Sequence, residues 1–195
     1  TLVPARVVVA EIDEAKRGAL AALGVRAVAD GVSALGTFAG DDLQVLLAVK
    51  PQSLEQLALE LRSANRTGAW VVVSIMAGVT GAKIRAALDA PGREIRVVRA
   101  MPNLPAQIAQ GATAVCLSAG AAPGDDAFAC RLFEGLGPVV VRTREELMDA
   151  FTAVAGSGPA YVCYRAEAMI DAAARMGFSP EESRRIVGQT LAGAG

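Results

Sequence analysis

The run Leu43-Gln44-Val45-Leu46-Leu47-Ala48-Val49-Lys50-Pro51, "LQVLLAVKP", holds one polar residue among its first seven. A strand with one wet face alternates apolar and polar side chains. A strand covered on both faces is apolar almost throughout, as in parallel sheets flanked by helices. The run therefore predicts a buried strand over Leu43–Val49, ended by Pro51, which cannot donate to a ladder. Similar short apolar strands are expected at Ala5–Ala10, Val25–Val28, Trp70–Ile75, Ile95–Arg99, Ala112–Leu117 and Pro138–Val141.

Helical patterns fall between these strands. Glu14–Leu23 is expected to be capped by Asp13 and stopped by Gly24. Ser53–Ser63 places Leu54, Leu57, Ala58 and Leu61 on one side, with Ser53 as its cap. Gly81–Leu88 and Asp125–Leu136 complete the α/β alternation, and Asp30–Gly36 reads as a loop. This order predicts a mostly parallel, doubly wound sheet. Beyond Arg144 the strand signals cease, and Glu145–Ala155, Pro159–Met176 and Pro180–Ala194 all read as helices. Ser179-Pro180-Glu181-Glu182 forms a capping box with proline at the first helical position. The composition shift sets an expected division into 1–142, α/β, and 143–195, all-helical.

Composition narrows the chemistry. Fifty-three per cent of the 195 residues are apolar and 20% are charged, which excludes disorder. The 19 Lys and Arg are scattered among 20 Asp and Glu, with no basic stripe for nucleic acid. The longest apolar run, Ala69–Val79, is shorter than the roughly 20 residues a bilayer requires, and no signal-peptide pattern is present. Three widely spaced cysteines, Cys116, Cys130 and Cys163, suit a reduced, cytoplasmic protein and read as small buried hydrophobes. The chain has no histidine, which removes His-based triads and the commonest general base. That absence points to chemistry carried by a bound cofactor, with no protein-bound metal.

Four stretches could carry that chemistry. Lys50, in "AVKPQ", lies at the carboxyl end of a strand, where open α/β sheets place their ligands; an ordinary strand end would look the same. Ala77 and Gly78, in "SIMAGV", are small enough for a flat ring to approach the backbone, or simply form a tight turn. In "RAMPNLPAQ", Pro102 and Pro105 bracket Asn103 in a stiff segment that either presents an amide or connects two strands. "AGSGPAY" (Ala155–Tyr161) lacks the first glycine of a nucleophile elbow, and Ser157 has no base. It reads instead as a helix start, with Ser157 or Gly158 as cap and Pro159 in the first turn, whose free amides could hold an anion. The alanine-rich helix that follows suits close helix–helix contact, within the chain or between two copies, and Tyr161, Tyr164 and Met169 belong to core or seam.

"LLAVKPQ", "VVSIMAGV", "VVRAMPNLPAQIAQGAT" and "MDAFTAVAGSGPAYV…EAM…AAARMGFS…VGQTLAGA" together resemble pyrroline-5-carboxylate reductase, from about Leu2 to Gly195. The resemblance implies a Rossmann domain followed by a helical dimerisation domain, in a homodimer or higher homo-oligomer. It implies hydride transfer from NADPH or NADH to the cyclic imine 1-pyrroline-5-carboxylate, giving proline. Ala48, Val49, Lys50 and Pro51 would follow the cofactor's ribose and phosphates. Ala77 and Gly78 would lie beside the nicotinamide, and Met101, Pro102 and Asn103 would line that end of the cleft. Ser157, Gly158, Pro159, Glu167 and Asn103 would bind substrate, and Thr152 would relay the proton to nitrogen. Such chemistry needs alignment, a held carboxylate and a proton, and neither histidine nor metal.

Departures from the family pattern set further expectations. The glycine fingerprint would precede Thr1, and a "TSPGGTT"-like segment would follow Gly195, so the chain as written is expected to be inactive and to bind dinucleotide weakly. The family's MPNTP reads Met101-Pro102-Asn103-Leu104-Pro105 here, and the Asp30–Gly36 loop lacks the family's asparagine. Glu11 follows the first strand, and an acid there favours a free ribose hydroxyl over a phosphate, hence NADH over NADPH. The competing readings are a non-catalytic homologue that only dimerises, and a related Rossmann dehydrogenase for another small acid or imine.

Overall fold

A computed structural model of the chain describes residues 6–40 and 42–194. The first residue of the strand expected at Ala5–Ala10 lies outside them. The described strand is β1, Val8–Ala10, which pairs in parallel with β2, Arg26–Val28, through the intervening helix α1, Glu14–Ala22. Asp13 caps α1 by accepting from the Ala15 and Lys16 amides, and Gly24 follows its end at φ +75°. The segment expected to be a loop instead contains a short helix, α2, Gly31–Leu35. Asp30 makes this possible, accepting from the Ser33 amide at 2.7 Å and compensating for the two weak helix formers that open the turn.

The main sheet has the order β3-β4-β5-β6-β7. Its strands are β3, Leu43–Leu47; β4, Gly68–Ser74; β5, Arg93–Pro102; β6, Ala112–Leu117; and β7, Val139–Arg142. The first three are parallel, β6 is antiparallel to β5, and β7 is parallel to β6. The reversal at β6 follows from chain length. Residues 103–111 are fewer than the dozen or so a parallel crossover needs, so β6 folds straight back. Strand β5 is also longer than the pattern Ile95–Arg99 predicts, and takes in Met101 and Pro102.

The helices are α3, Leu54–Ser63; α4, Gly81–Leu88; α5, Ala127–Glu134; α6, Met148–Phe151; α7, Gly158–Arg175; and α8, Pro180–Ala194. Period-2 alternation divides the sheet between two layers. Trp70, Val72, Ile95 and Val97 pack with Leu54, Leu61, Ile84 and Leu88 of α3 and α4. The intervening Val71, Val73, Val98 and Ala100 pack with Ala129, Cys130 and Phe133 of α5 on the other face. Each fully buried valine or larger side chain contributes about 1.5–3 kcal/mol, which makes this two-sided burial the main source of stability. Farther along the α4 face, Met148 of α6 closes over Ala114 and Cys116 of β6.

Other expectations are corrected by local geometry. Ser53 does not cap α3: a 3₁₀ turn over Pro51–Ser53 already places it in helical conformation, and its side chain makes no capping bond. The helix expected over Glu145–Ala155 is a 3₁₀ turn, Glu145–Leu147, then α6, then a π-turn over Thr152–Gly156. The extra residue of a π-turn changes the register, so α7 continues from it instead of starting at a free end. Ser157 accordingly adopts a helical conformation without a side-chain cap, and its amide is donated to the Thr152 carbonyl at 2.8 Å. The capping box at α8 is formed in both directions, Ser179 N to Glu182 and Glu182 N to Ser179 Oγ. Helix α7 buries none of its residues; Tyr161 and Tyr164 are exposed, so neither belongs to a core within the chain. Cys116 and Cys130 are buried, but Cys163, on the open face of α7, is exposed.

Candidate active site at the carboxyl edge of the sheet

The parallel register aligns Leu47 with Ser74 and Ser74 with Arg99. Ala48–Pro51 and Ile75–Gly78 therefore leave the sheet side by side, and the Ile75 amide donates to the Leu47 carbonyl. Ala48, Val49, Lys50, Ala77 and Gly78 are exposed along this edge. Gly78 adopts φ +69° with open space where a side chain would stand. Such a low, apolar ledge over strand ends fits a flat ring and a dinucleotide chain lying across it. Strand β5 runs on past this line, carrying Met101, Pro102 and Asn103 to the rim.

The π-turn lies against that rim. Asn103 Nδ2 donates to the Ala155 carbonyl at 3.1 Å, and Asn103 Oδ1 accepts from the Ala112 amide at 2.9 Å. A Cβ built on Gly156 would lie 3.3 Å from Met101 Cε and 3.3 Å from Thr152 Cγ2, so strand and turn touch closely here. Thr152 Oγ1 donates to the Met148 carbonyl at 2.8 Å and is half-buried. Met101 and Asn103 are thus held against the turn that carries Thr152 by two segments about 50 residues apart in sequence, and Ser157, Gly158 and Pro159 follow that turn directly in the chain.

Two expected residues are not brought there. Glu11 follows β1 in the separate two-stranded sheet, where its carboxylate accepts from the Asp13 amide at 2.9 Å. Glu167 is exposed on α7, ten residues beyond Ser157 and so about 15 Å along the helix.

Beside the rim, sequence reasoning missed a polar junction. Glu145 accepts from the Gly81 amide at 2.7 Å, from Ser118 Oγ, and from Arg99 Nη1 at 3.4 Å. Burial pushes its carboxyl up, but the Ser118 hydroxyl, the Gly81 amide and Arg99 outweigh that and hold it below the ordinary glutamate value. No local pattern links residues 81, 99, 118 and 145. A second omission is Arg17, whose Nη1 donates to the Glu11 and Ile12 carbonyls at 2.8 and 2.9 Å and places a cation beside Glu11. The available signal was a basic residue in the helix that follows the first strand. A cavity of about 480 Å³ between Ser118, Arg142 and Glu146 includes neither Lys50 nor Gly78 in its lining. An apolar groove of about 330 Å³, lined by Val141, Leu147, Phe151 and Val154, adjoins the π-turn.

Residues 145–195 match the family model for pyrroline-5-carboxylate reductase dimerisation. The chain is 38% identical over 150 residues to the pyrroline-5-carboxylate reductase of Synechocystis, covering 76% of this chain and 53% of the relative. The chain spans about half the length of the curated relatives it matches. Among solved structures, a pyrroline-5-carboxylate reductase from Coxiella burnetii superposes with a TM-score of 0.82 at 29% identity, covering 97% of this chain and 68% of the other. The Plasmodium falciparum pyrroline carboxylate reductase, solved with NADP bound, shares the fold with a TM-score of 0.71 at 24% identity, covering 87% and 61%. In its Rossmann-type sheet, its C-terminal helical region and its identity over three quarters of its own length, the chain is similar to the pyrroline-5-carboxylate reductases, and residues 145–195 to their dimerisation domain.

Proposed function

We propose that the protein reduces 1-pyrroline-5-carboxylate to proline with NADPH or NADH, and that the rim formed by β5 and the π-turn is where substrate and nicotinamide meet. The observation that carries this reading is the tether between Met101–Asn103 and Thr152–Gly156, which holds the Thr152 hydroxyl against the end of β5 at the carboxyl edge of the sheet. The bound dinucleotide supplies the hydride. Ala48, Val49, Lys50 and Pro51 support its ribose and phosphates along the strand ends, and Ala77 and Gly78 leave room for its ring. Met101 and Pro102 close that end against water.

Thr152 holds a proton at Oγ1, directed in the free protein at the Met148 carbonyl, and passes it to the imine nitrogen as charge develops there. Ser157 Oγ, not spent on a cap, binds the substrate together with Gly158 and Pro159. Glu167 is too far along α7 to reach the same pocket and would act in that of a second copy. We divide the chain into a dinucleotide-binding domain, 1–142, and a dimerisation domain, 143–195. The open face of α7, with Val162 and Tyr164 exposed, supports a homodimer or larger assembly. Among the described residues no helix is long and apolar enough to cross a membrane; we place the protein in the cytoplasm.

A substrate panel tests the reading. The intact protein should oxidise NADPH or NADH with the five-membered imine and prefer it over open-chain imines and 2-oxo acids. A clear preference for another substrate, or no turnover with either cofactor, would overturn it.

A further inference from the structure

We propose that Asn103 is a positioning residue: its amide locks the π-turn that carries Thr152 to the end of the β5–β6 ladder, instead of contacting substrate or cofactor. The inference rests on the reading of Thr152 as proton donor. Both ends of the Asn103 amide are already committed within the chain, Nδ2 to the Ala155 carbonyl and Oδ1 to the Ala112 amide.

Each of those partners lacks a backbone mate for an identifiable reason. In an α-helix the Ala155 carbonyl would accept from residue 159, but residue 159 is Pro and has no N–H. The next amide, that of Ala160, is donated to Ser157 at 3.0 Å. The Ala155 carbonyl is therefore left over by the combination of a π-turn and Pro159. At the other end, the antiparallel register pairs Pro102 with Thr113, so the next rung would join residue 103 to Ala112. Asn103 instead turns the chain into the 3₁₀ segment Leu104–Ile108, and its side-chain oxygen takes the Ala112 amide in place of that rung.

One planar amide thus satisfies two stranded backbone groups that lie 43 residues apart, at 112 and 155. Few side chains can do so. Aspartate keeps the acceptor and loses the donor, and glutamine is a methylene too long. The consequence is functional, because Thr152 opens the same five-residue turn whose fourth carbonyl is held. Freeing that carbonyl lets the turn shift relative to Met101, and a displacement near 1 Å at a reacting group can cost about 100-fold in rate.

The test uses the intact protein carrying Asn103→Asp, Asn103→Ala, and each combined with Pro159→Ala. For Asn103→Asp the expected result is a kcat at least tenfold lower with the NADPH dissociation constant within twofold of the parent. Protection of the Ala112 amide from hydrogen exchange is retained, while the amides of residues 156–158 exchange faster. Asn103→Ala should lose protection at both ends. Pro159→Ala restores an N–H for the Ala155 carbonyl, so in that background Asn103→Asp should cost less thermal stability and less protection at 156–158 than in the parent; an equal cost in both backgrounds would contradict the lock. Should Asn103→Asp fail to fold, Asn103→Ala carries the test through its faster exchange at both Ala112 and residues 156–158.

Unchanged kcat, or NADPH binding weakened tenfold with kcat intact, would overturn the proposal. If the parent protein reduces no imine, the functional reading fails separately. The exchange data still decide the lock: faster exchange at 156–158 in Asn103→Asp supports it, and unchanged exchange overturns it.

Discussion

Glu145, the first residue of the helical region, forms an ion pair with Arg99 of β5 at 3.4 Å while also accepting from the first amide of α4 and from Ser118. Arg99 is only 7% exposed at its side chain and Glu145 29%, so the pair is shielded without being fully dry. Through it, one carboxylate ties the helices after Thr143 to β5, to α4 and to the loop after β6.

Removing that carboxylate leaves the Arg99 charge buried and unpaired. Glu145→Ala is expected to destabilise the protein by about 2–3 kcal/mol, below the fully buried range because Glu145 is partly solvated. Urea denaturation checks this, and a loss under about 0.5 kcal/mol would contradict it. The same group gives a pH signature. Its folded pKa lies below the ordinary value near 4.5, so its stabilisation is present above that value and is lost as pH falls through the lower folded one. Asp30 and Glu182, held low by bonds from Ser33 and Ser179, add to the same acid limb. Glu145→Gln should flatten that limb in thermal melts between pH 3 and 5, roughly the range set by glutamate titration.

At the opposite end of the sheet, Arg93 donates to the Leu61, Arg66 and Leu88 carbonyls and lies 3.9 Å over the Trp70 ring. It closes the C-terminal ends of α3 and α4 at once, which a lysine cannot do with three donors on one point. Arg93→Lys should cost about 2–4 kcal/mol in denaturant melts. Dinucleotide affinity should be unchanged, because no site residue lies there.

Gly156 is close-packed against Met101 and Thr152. Gly156→Ala places a methyl 3.3 Å from both, and the stiff, β-branched Thr152 has little room to give. The variant should melt within about 1.5 kcal/mol of the parent yet lose at least tenfold in kcat for imine reduction, on the order expected for a misplaced proton donor. A variant with parental turnover would separate Thr152 from the chemistry.

Cofactor choice should depend on the pair after β1. Glu11 alone favours a free ribose hydroxyl, but the Arg17 guanidinium beside it offers a phosphate partner. Arg17→Ala should raise the KM for NADPH at least threefold more than that for NADH, on the scale of one solvent-exposed charge contact. Glu11→Ser should lower the KM for NADPH. Equal effects on both cofactors would place the ribose elsewhere.

The parallel core was legible because its cause is local. The unbroken run Val71–Val73 is buried on both faces, whereas the strand expected over Leu43–Val49 ends at Leu47 on the sheet edge and buries Leu43 and Leu47 while Gln44 and Leu46 face out. Asp13 and Ser179 mark helix starts through bonds spanning three residues. What was not legible depends on distance or on small energy differences. The direction of β6 is set by the length of the 103–111 connection, and α2 by a single Asp30 cap. The π-turn differs from an α-helix by one residue of register. The commitment of Asn103 became visible only when Pro159 and Ala155, more than 50 residues away, were placed beside it.

Isotope transfer tests the proposed chemistry most directly. With nicotinamide deuterated at C4 on the transferred face, the intact protein should convert 1-pyrroline-5-carboxylate to proline carrying one deuterium on the ring carbon next to nitrogen. The rate should fall sharply in Thr152→Val, while dinucleotide binding persists. Proline formed without that deuterium, or no proline formed at all, would contradict the proposed reduction.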